Sequence, residues 1–92
     1  MGFWSLATGC CAEEIVLDEG ECRKLGEDEC LLGRAAMGVN ATTAHFALVY
    51  RSGIPSWEGL HLLVLGAGGG LGNACVQVGV CLGALVIGAA ST

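Results

Sequence analysis

The chain has 92 residues and a mass of 9.3 kDa, which is room for one small domain or part of a larger one. Hydrophobic residues make up 53% of it and the mean hydropathy is +0.65, so it lacks the polar, highly charged composition of an intrinsically disordered protein. A formal net charge of −5 with only four Lys and Arg argues against a general nucleic-acid binder, because phosphates are neutralised by clustered basic residues.

The cysteine content raises the question of a disulfide scaffold. The six are Cys10, Cys11, Cys22, Cys30, Cys75 and Cys81. The start of the chain has no basic segment followed by a long apolar run, so the sequence does not predict a secretory signal. Because disulfides are rare inside cells, we expect reduced thiols in an intracellular protein, cytoplasmic or mitochondrial.

The first half of the chain is polar and acidic. Every Asp, Glu, Lys and Arg lies between Glu13 and Glu58. The acidic run over 13–30 is typical of a solvated surface, so we assign it no catalytic role. Within it, the β-branched stretch Glu14–Leu17 predicts a short strand that ends at a turn over Asp18–Gly20.

Two helices are predicted next. Acidic residues followed by apolar residues at helical spacing predict a helix over 28–36. Asn40 is a good N-cap residue for a second helix over 41–52, which Gly53 would end as a C-cap. A turn is predicted over 57–59.

The last third of the chain has the pattern of a βαβ unit. His61 to Leu65 is an apolar run typical of a strand buried on both faces in a parallel sheet. A glycine cluster follows, then apolar residues at helical spacing over 71–82, then a second apolar run over 84–89. Residues 61–90 amount to 30 residues, about the length that a βαβ unit needs.

The glycine cluster reads GAGGGLG and resembles the dinucleotide-binding fingerprint G-x-G-x-x-G. Starting at Gly66 puts Leu71 where the third glycine belongs, whereas starting at Ala67 gives A-x-G-x-x-G. In that register Ala67 permits the tight turn, Gly69 lets a pyrophosphate approach the backbone, and Gly72 lets the helix pack on the strand. The N–H groups and dipole at the start of the helix would then face the phosphates.

The residues after the second strand bear on the choice of dinucleotide. An acidic residue there usually holds the ribose 2′-hydroxyl of NAD. This chain ends in GAAST and has no acid, and small hydroxyl residues such as Ser91 can accept a 2′-phosphate. The sequence therefore favours NADPH.

A membrane span is the alternative interpretation of this segment. Leu62 to Thr92 is a run of 31 uncharged residues, and a span needs about 20. Three consecutive glycines over 68–70, with Asn73 and Gln77 near the middle, argue against such a helix. If Leu62 to Ile87 formed one continuous helix, the dinucleotide interpretation would be wrong.

The stretch from Ala35 to Thr92 resembles the middle of a quinone oxidoreductase (zeta-crystallin-like) member of the medium-chain dehydrogenase/reductase superfamily. VNATTAHFAL, from Val39, is similar to the family's V-N-x-x-T-A-x-x-A-L helix. LLVLGAGGGLGNACVQVG, from Leu62, is similar to its V-L-V-L-G-A-x-G-G-V-G-x-A-x-V-Q-x-A segment, and GALVI, from Gly83, to G-A-x-V-I. More weakly, CAEEIV, from Cys11, resembles a strand late in the family's GroES-like domain.

This resemblance implies an α/β fold: a partial Rossmann domain, one βαβ unit of a doubly wound parallel sheet, preceded by the tail of a GroES-like β domain. The GroES-like remnant would be 1–34, the connecting helix and turn 35–58, and the truncated βαβ unit 59–92. Such a pair of strands would leave both sheet edges open and one face bare. We therefore expect a fragment or short isoform that is inactive alone.

The function that the resemblance implies is NADPH-dependent, zinc-independent reduction of quinones or conjugated carbonyls, with the cofactor supplying the hydride. It implies no catalytic side chain, and the cysteine spacing does not fit the four-cysteine zinc lobe of zinc-binding relatives, so no metal is expected. Together, the resemblance, the glycine cluster and the end of the second strand predict these cofactor-binding residues: Asn40, Thr43, Ala67, Gly69, Gly70, Leu71, Gly72 and Ser91. The alternative functions are a non-catalytic interaction fragment, acting as a homo-oligomer or paired with a full-length chain, and a small glycine-rich membrane protein.

Overall fold

The computed structural model describes residues 2–3, 9 and 11–91. The chain is mixed α/β and divides into two units, Met1–Ala36 and Met37–Thr92. Of the six cysteines, Cys10 lies outside the described residues. The other five are free thiols.

The first unit contains a short antiparallel pair. Strand β1, Gly2–Phe3, pairs with strand β2, Cys22–Arg23. A single turn of 3-10 helix, Glu19–Glu21, precedes β2, and the N–H of Glu21 donates to the carbonyl of Asp18 at 2.9 Å. The predicted chain reversal after Asp18 is confirmed.

The strand predicted over Glu14–Leu17 is wrong. These residues pair with no strand in the described part of the chain, and the side chain of Val16 is 98% exposed. A β-branched stretch forms a strand only where a neighbouring strand takes up its N–H and C=O groups. In this unit that pairing is made by Cys22–Arg23 instead.

Helix α1 spans Leu31–His45 and passes directly into a π-helical segment, Phe46–Arg51. The backbone of Gly38 is non-helical, with φ 11° and ψ −120°, so α1 consists of two helices that meet at a kink there, and the prediction of two helices in this region is confirmed. The chain leaves the helical conformation at Gly53, where φ is +67°, so the predicted glycine C-cap is confirmed.

Two predictions for this region need correction. The first helix begins at Leu31 rather than at residue 28, so no acidic residue lies in its first turn. Asn40 is not an N-cap, because it lies inside α1 two residues after the break at Gly38.

The second unit has the predicted order of strand, turn, helix and strand. Strand β3, His61–Leu65, and strand β4, Leu85–Ala89, pair in parallel along all five residues of each. Helix α2, Gly70–Cys81, connects them. The segment from Leu62 to Ile87 is thus not one continuous helix. Within residues 2–3, 9 and 11–91, no helix is long and apolar enough to cross a membrane.

Helix α2 packs on one face of the sheet through Gly79. A β-carbon at this buried glycine would lie 2.6 Å from Leu62 Cδ2 and 2.9 Å from Val86 Cγ2, so only glycine lets the helix come this close. Val64, on the same face of the sheet, is buried.

The other face of the sheet is bare among the described residues. Its large apolar side chains are more than half exposed: Leu63, Leu65, Leu85 and Ile87. The prediction that β3 is buried on both faces is therefore wrong, and the prediction of one bare face is confirmed. One helix can cover only one side of a two-stranded sheet.

Candidate functional site

The glycine cluster lies at the edge of the sheet where both strands end. Leu65 and Ala89 are the last residues of β3 and β4, and they are paired. The N–H of Ala67 donates to the carbonyl of Ala89 at 2.9 Å, which extends the pairing beyond β3. The cluster and the residues after β4 therefore meet at the end of the sheet formed by the carboxyl ends of the two strands, called the carboxyl edge below. Open α/β sheets bind their ligands at this end.

The tight turn is made by Gly66. Its φ is +72°, and its carbonyl accepts the N–H of Gly69 at 3.0 Å. The sequence assigned this turn to Ala67, which is wrong, because no non-glycine residue in the described part of the chain has a positive φ. The N–H of Ala67 is already bonded, and its methyl group lies 2.9 Å from where Gly88 would carry a β-carbon. Ala67 thus packs the turn onto β4.

Gly72 has the packing role that the fingerprint predicted. A β-carbon at Gly72 would overlap the carbonyl oxygen of Gly66 and would lie 2.9 Å from Ala67 Cα. These are backbone atoms of the turn itself, so they cannot move aside without distorting it. Glycine at this position allows the first turn of α2 to rest on the end of β3.

The first turn of α2 offers free backbone donors. Gly69 is the N-cap, with φ −81° and ψ 167°, and no side chain caps the helix. The first helical bond runs from the N–H of Asn73 to the carbonyl of Gly69, at 2.8 Å. The N–H groups before Asn73 therefore have no acceptor within the helix, those of Gly70 and Leu71 included. Donors at a helix N-terminus, with the helix dipole behind them, bind anions.

The space in front of these donors is open. Gly69, Gly70 and Leu71 are exposed. A β-carbon at Gly69 would meet the carbonyl oxygen of Gly66 at an ordinary 3.5 Å and no other group of the described chain within 4 Å. The absence of a side chain at Gly69 therefore leaves room for a ligand and is not needed for the backbone conformation.

Asn40 is brought to the same place from α1. It is half-buried, and its Nδ2 lies 2.6 Å from where a β-carbon of Gly70 would be. Thr43, one turn further along α1, is exposed. The hydroxyl that bonds to the preceding turn is that of Thr42, to the carbonyl of Gly38 at 3.3 Å. The structure thus brings Asn40 to the turn, and no described contact does so for Thr43.

The residues that follow β4 are small and neutral. Ser91 is exposed, and the methyl group of Ala90 lies 3.7 Å from where Gly68 would carry a β-carbon. The sequence from residue 59 onward has no Asp, Glu, Lys or Arg, so this segment itself contributes backbone dipoles and no charged side chain. Among the described residues, no group of three or more His, Cys, Asp or Glu could hold a metal ion.

The contact between Asn40 and Gly70 was not foreseen. The fingerprint in the register of Ala67 needs glycine at 69 and 72, so Gly70 is surplus to the fingerprint, although the family resemblance implies that it binds cofactor. A surplus glycine at the start of a helix, where it weakens helix propensity, is a signal of close approach by another group. The sequence did not show which residue would approach.

No protein-family model, curated protein or solved structure matches this chain. The interpretation of the site therefore depends on its own geometry. That geometry offers backbone donors, a helix dipole and open space, which suits binding of an anionic group.

Proposed function

We propose that the chain binds NADPH, with the diphosphate held at the Gly66–Gly72 turn, and that it is part of an NADPH-dependent oxidoreductase of quinones or conjugated carbonyls. The observation that carries the proposal is the free first turn of α2 at the carboxyl edge of a parallel strand pair. Under this proposal 59–92 is one βαβ unit of a Rossmann domain, 35–58 connects to it, and 1–34 is the tail of a GroES-like domain.

The diphosphate would bind through backbone groups. The N–H groups of Gly70 and Leu71 point away from the helix with no acceptor of their own, and Gly69 leaves the approach clear. Hydrogen bonds to a charged acceptor are about twice as strong as those between neutral groups. The segment has no Lys or Arg, so we expect binding to depend only weakly on salt.

The preference for NADPH over NADH rests on the residues after β4. A carboxylate at this point would hold the ribose 2′-hydroxyl of NADH and would repel a 2′-phosphate. Ser91 is exposed at the carboxyl edge and can donate its hydroxyl to that phosphate.

When bound, NADPH would supply the hydride that reduces the quinone or enone. The chain's own residues would bind and orient the cofactor. Asn40 would contribute from α1, and Thr43 by the family resemblance. No side chain of this chain is assigned a proton-transfer or nucleophilic step.

The test is a titration of the 92-residue chain with NADPH and NADH, using calorimetry. We expect saturable binding that is tighter for NADPH. Gly69→Val should abolish it without unfolding the chain, because valine adopts the extended backbone of Gly69 and its β-carbon meets no close contact. Gly20→Val is the matched control: its β-carbon would also be in open space, far along the chain, and binding should persist. Equal binding by wild type and Gly69→Val would refute the proposal.

An interaction function is the second candidate, and the bare apolar face of the sheet favours it. Four large apolar side chains on that face are more than half exposed, which is a feature of surfaces that are covered by another chain. Light scattering of the purified chain tests this. A self-associated chain that does not bind NADPH would favour the interaction function over the first proposal.

A further inference from the structure

The helical region that begins with α1 ends in a wider, π-helical register. Phe46–Arg51 follows α1 without a break, and the residues on either side of it, His45 and Ser52, have ordinary α-helical dihedrals. The six residues read FALVYR and include no glycine or proline, so each of them is also accepted in an α-helix. Because π-helical turns are rare and nothing in this local sequence requires one, the cause lies in contacts made from outside the segment.

Those contacts converge on the carbonyl oxygen of Leu48, which like any carbonyl oxygen has two lone pairs. It accepts the indole N–H of Trp57 at 2.9 Å and the hydroxyl of Ser52 at 2.7 Å. The Ser52 oxygen accepts the N–H of Ile54 at 3.2 Å, so its hydroxyl proton is left for Leu48. Side chains thus use both lone pairs, and none is left for the backbone N–H of Ser52, which would be the partner of Leu48 in an α-helix.

We propose that Phe46–Arg51 has two registers, π and α, and that the indole of Trp57 is a latch that holds the π register. Leu48 and Trp57 are both buried, so water does not compete for the bond between them. When the indole leaves, one lone pair of Leu48 becomes free, the N–H of Ser52 can bond there, and the segment closes to an α-helix. This inference does not depend on the proposed function.

The register decides which aromatic rings meet on the exposed side of the segment. The ring of Tyr50 lies edge-on to that of His45, with centroids 5.7 Å apart, and 6.0 Å from that of Phe46. Residues five apart lie about one turn apart in a π-helix but about 140° apart around an α-helix, whereas residues four apart are neighbours in an α-helix as well. The contact between His45 and Tyr50 therefore belongs to the π register alone. All three residues are exposed, so the latch controls whether the surface carries a cluster of three rings or of two.

Trp57→Phe tests the latch, with nuclear Overhauser contacts between ring protons as the readout. Phenylalanine keeps an aromatic ring at the buried site but cannot donate a hydrogen bond. We expect the contact between His45 and Tyr50 to be lost and the contact between Phe46 and Tyr50 to remain. Backbone contacts between β3 and β4 check that the unit is folded. A retained His45–Tyr50 contact would overturn the inference, and so would loss of both ring contacts, because the segment would then have unravelled instead of changing register.

Ser52→Ala gives a second test that leaves the buried indole in place, and it decides the matter if Trp57→Phe does not fold. It frees the other lone pair of Leu48, so it should weaken the contact between His45 and Tyr50 relative to that between Phe46 and Tyr50. Ser56→Ala is the matched control. The Ser56 hydroxyl oxygen accepts the N–H of Glu58 at 3.3 Å, as that of Ser52 accepts the N–H of Ile54, but Leu48 takes its two donors from other residues. The same ratio of the two ring contacts in both serine variants would contradict the proposal.

Discussion

A β-carbon at position 72 would occupy the space of the Gly66 carbonyl oxygen, and this overlap makes Gly72 the most constrained residue of the turn. We expect Gly72→Ala to lower the free energy of unfolding by about 1–3 kcal/mol, the usual cost of overpacking. Alanine regains about 1 kcal/mol of helix propensity, which reduces the net effect. Urea unfolding followed by circular dichroism measures it. Gly68→Ala is the control, and identical midpoints for the two variants would contradict the argument.

Position 91 tests the choice of cofactor. Ser91→Asp places a carboxylate at the carboxyl edge, two residues beyond β4, where an acid holds the ribose of NADH. If the chain binds NADPH as proposed, we expect its preference for NADPH over NADH to be lost in this variant, because the carboxylate repels the 2′-phosphate. The measurement is the ratio of the two Kd values by calorimetry. Ser91→Ala should weaken NADPH binding without improving NADH binding, and the same ratio in Ser91→Asp as in wild type would rule out this location for the ribose.

In the first unit, Glu29 is the acidic residue with a clearly altered pKa. The side chain of Arg23 donates to both of its carboxylate oxygens, at 2.9 and 3.2 Å, and the N–H of Gly26 donates at 2.8 Å. These hydrogen bonds, with the nearby charge of Arg34, lower the pKa of Glu29 from 4.5 to about 2. The pair lies at the surface, so its effect on stability is small.

The sign of the pH dependence follows from that depressed pKa. The carboxylate contributes to stability above its unfolded pKa of 4.5, and the contribution is lost as the pH falls from there toward 2. A carbon-detected titration of the Glu29 carboxyl group should give a midpoint near 2 in wild type. Arg23→Gln should move the midpoint up toward the ordinary value, and an unchanged midpoint would mean that Arg23 is not the cause.

Between secondary-structure elements, the π-helical segment Phe46–Arg51 is fixed by two hydrogen bonds to a single backbone carbonyl. Leu48 O accepts the indole N–H of buried Trp57 at 2.9 Å and the hydroxyl of Ser52 at 2.7 Å. This ties the end of the helical region to the turn that leads into β3. Leu48 and Trp57 are also two of the four buried hydrophobic residues in the described part of the chain.

Trp57→Phe tests this link. We expect the free energy of unfolding to fall by about 1 kcal/mol from the lost hydrogen bond, with a further loss from the smaller ring. Thermal unfolding measures the change. Tyr50→Phe is the control, since the Tyr50 side chain is 69% exposed and its loss of a hydroxyl should have little effect. Equal unfolding temperatures for both variants would show that the indole bond does not stabilise the segment.

The elements of the second unit could be predicted because each is marked locally. An unbroken apolar run gave β3 at His61–Leu65, and helical spacing with a terminal glycine gave α2. The left-handed backbone at Gly53, Gly59 and Gly83 fell where turns or helix ends were expected. Such glycines are required by their own dihedrals, so the sequence alone reveals them.

What could not be predicted depends on contacts between distant residues. Asn40 is a residue type that favours the N-cap, but it lies inside the part of α1 that follows the break at Gly38, and its amide nitrogen lies beside Gly70, 30 residues further along the chain. Glu14–Leu17 has a strand pattern but no partner strand. The assignment of the tight turn to Ala67 instead of Gly66 came from matching a fingerprint that fixes spacing but not dihedrals.

For the molecule as a whole, a small interior limits stability. Ala44, Leu48, Trp57 and Val64 are the buried hydrophobic residues in the described part of the chain, and one face of the sheet is exposed. A chain that buries little apolar surface has a small margin of stability. Any ligand that binds only the folded state will therefore produce a readily measured shift of the unfolding equilibrium.

NADPH should produce that shift without being consumed. Binding at 100 times its Kd would add about 2.7 kcal/mol to the free energy of unfolding, and at the same concentration NADH would add less. Gly69→Val should respond to neither nucleotide.

Catalysis needs the nicotinamide to be oriented toward a substrate. In the described residues only β3 and β4 form the carboxyl edge of the parallel pair, so a nicotinamide extending from the turn would remain in water, where it is not oriented toward a substrate. We therefore expect no oxidation of NADPH when a quinone is added, so the absorbance of NADPH should not fall. Sustained turnover by the 92-residue chain would show that these strands suffice to place the reacting groups.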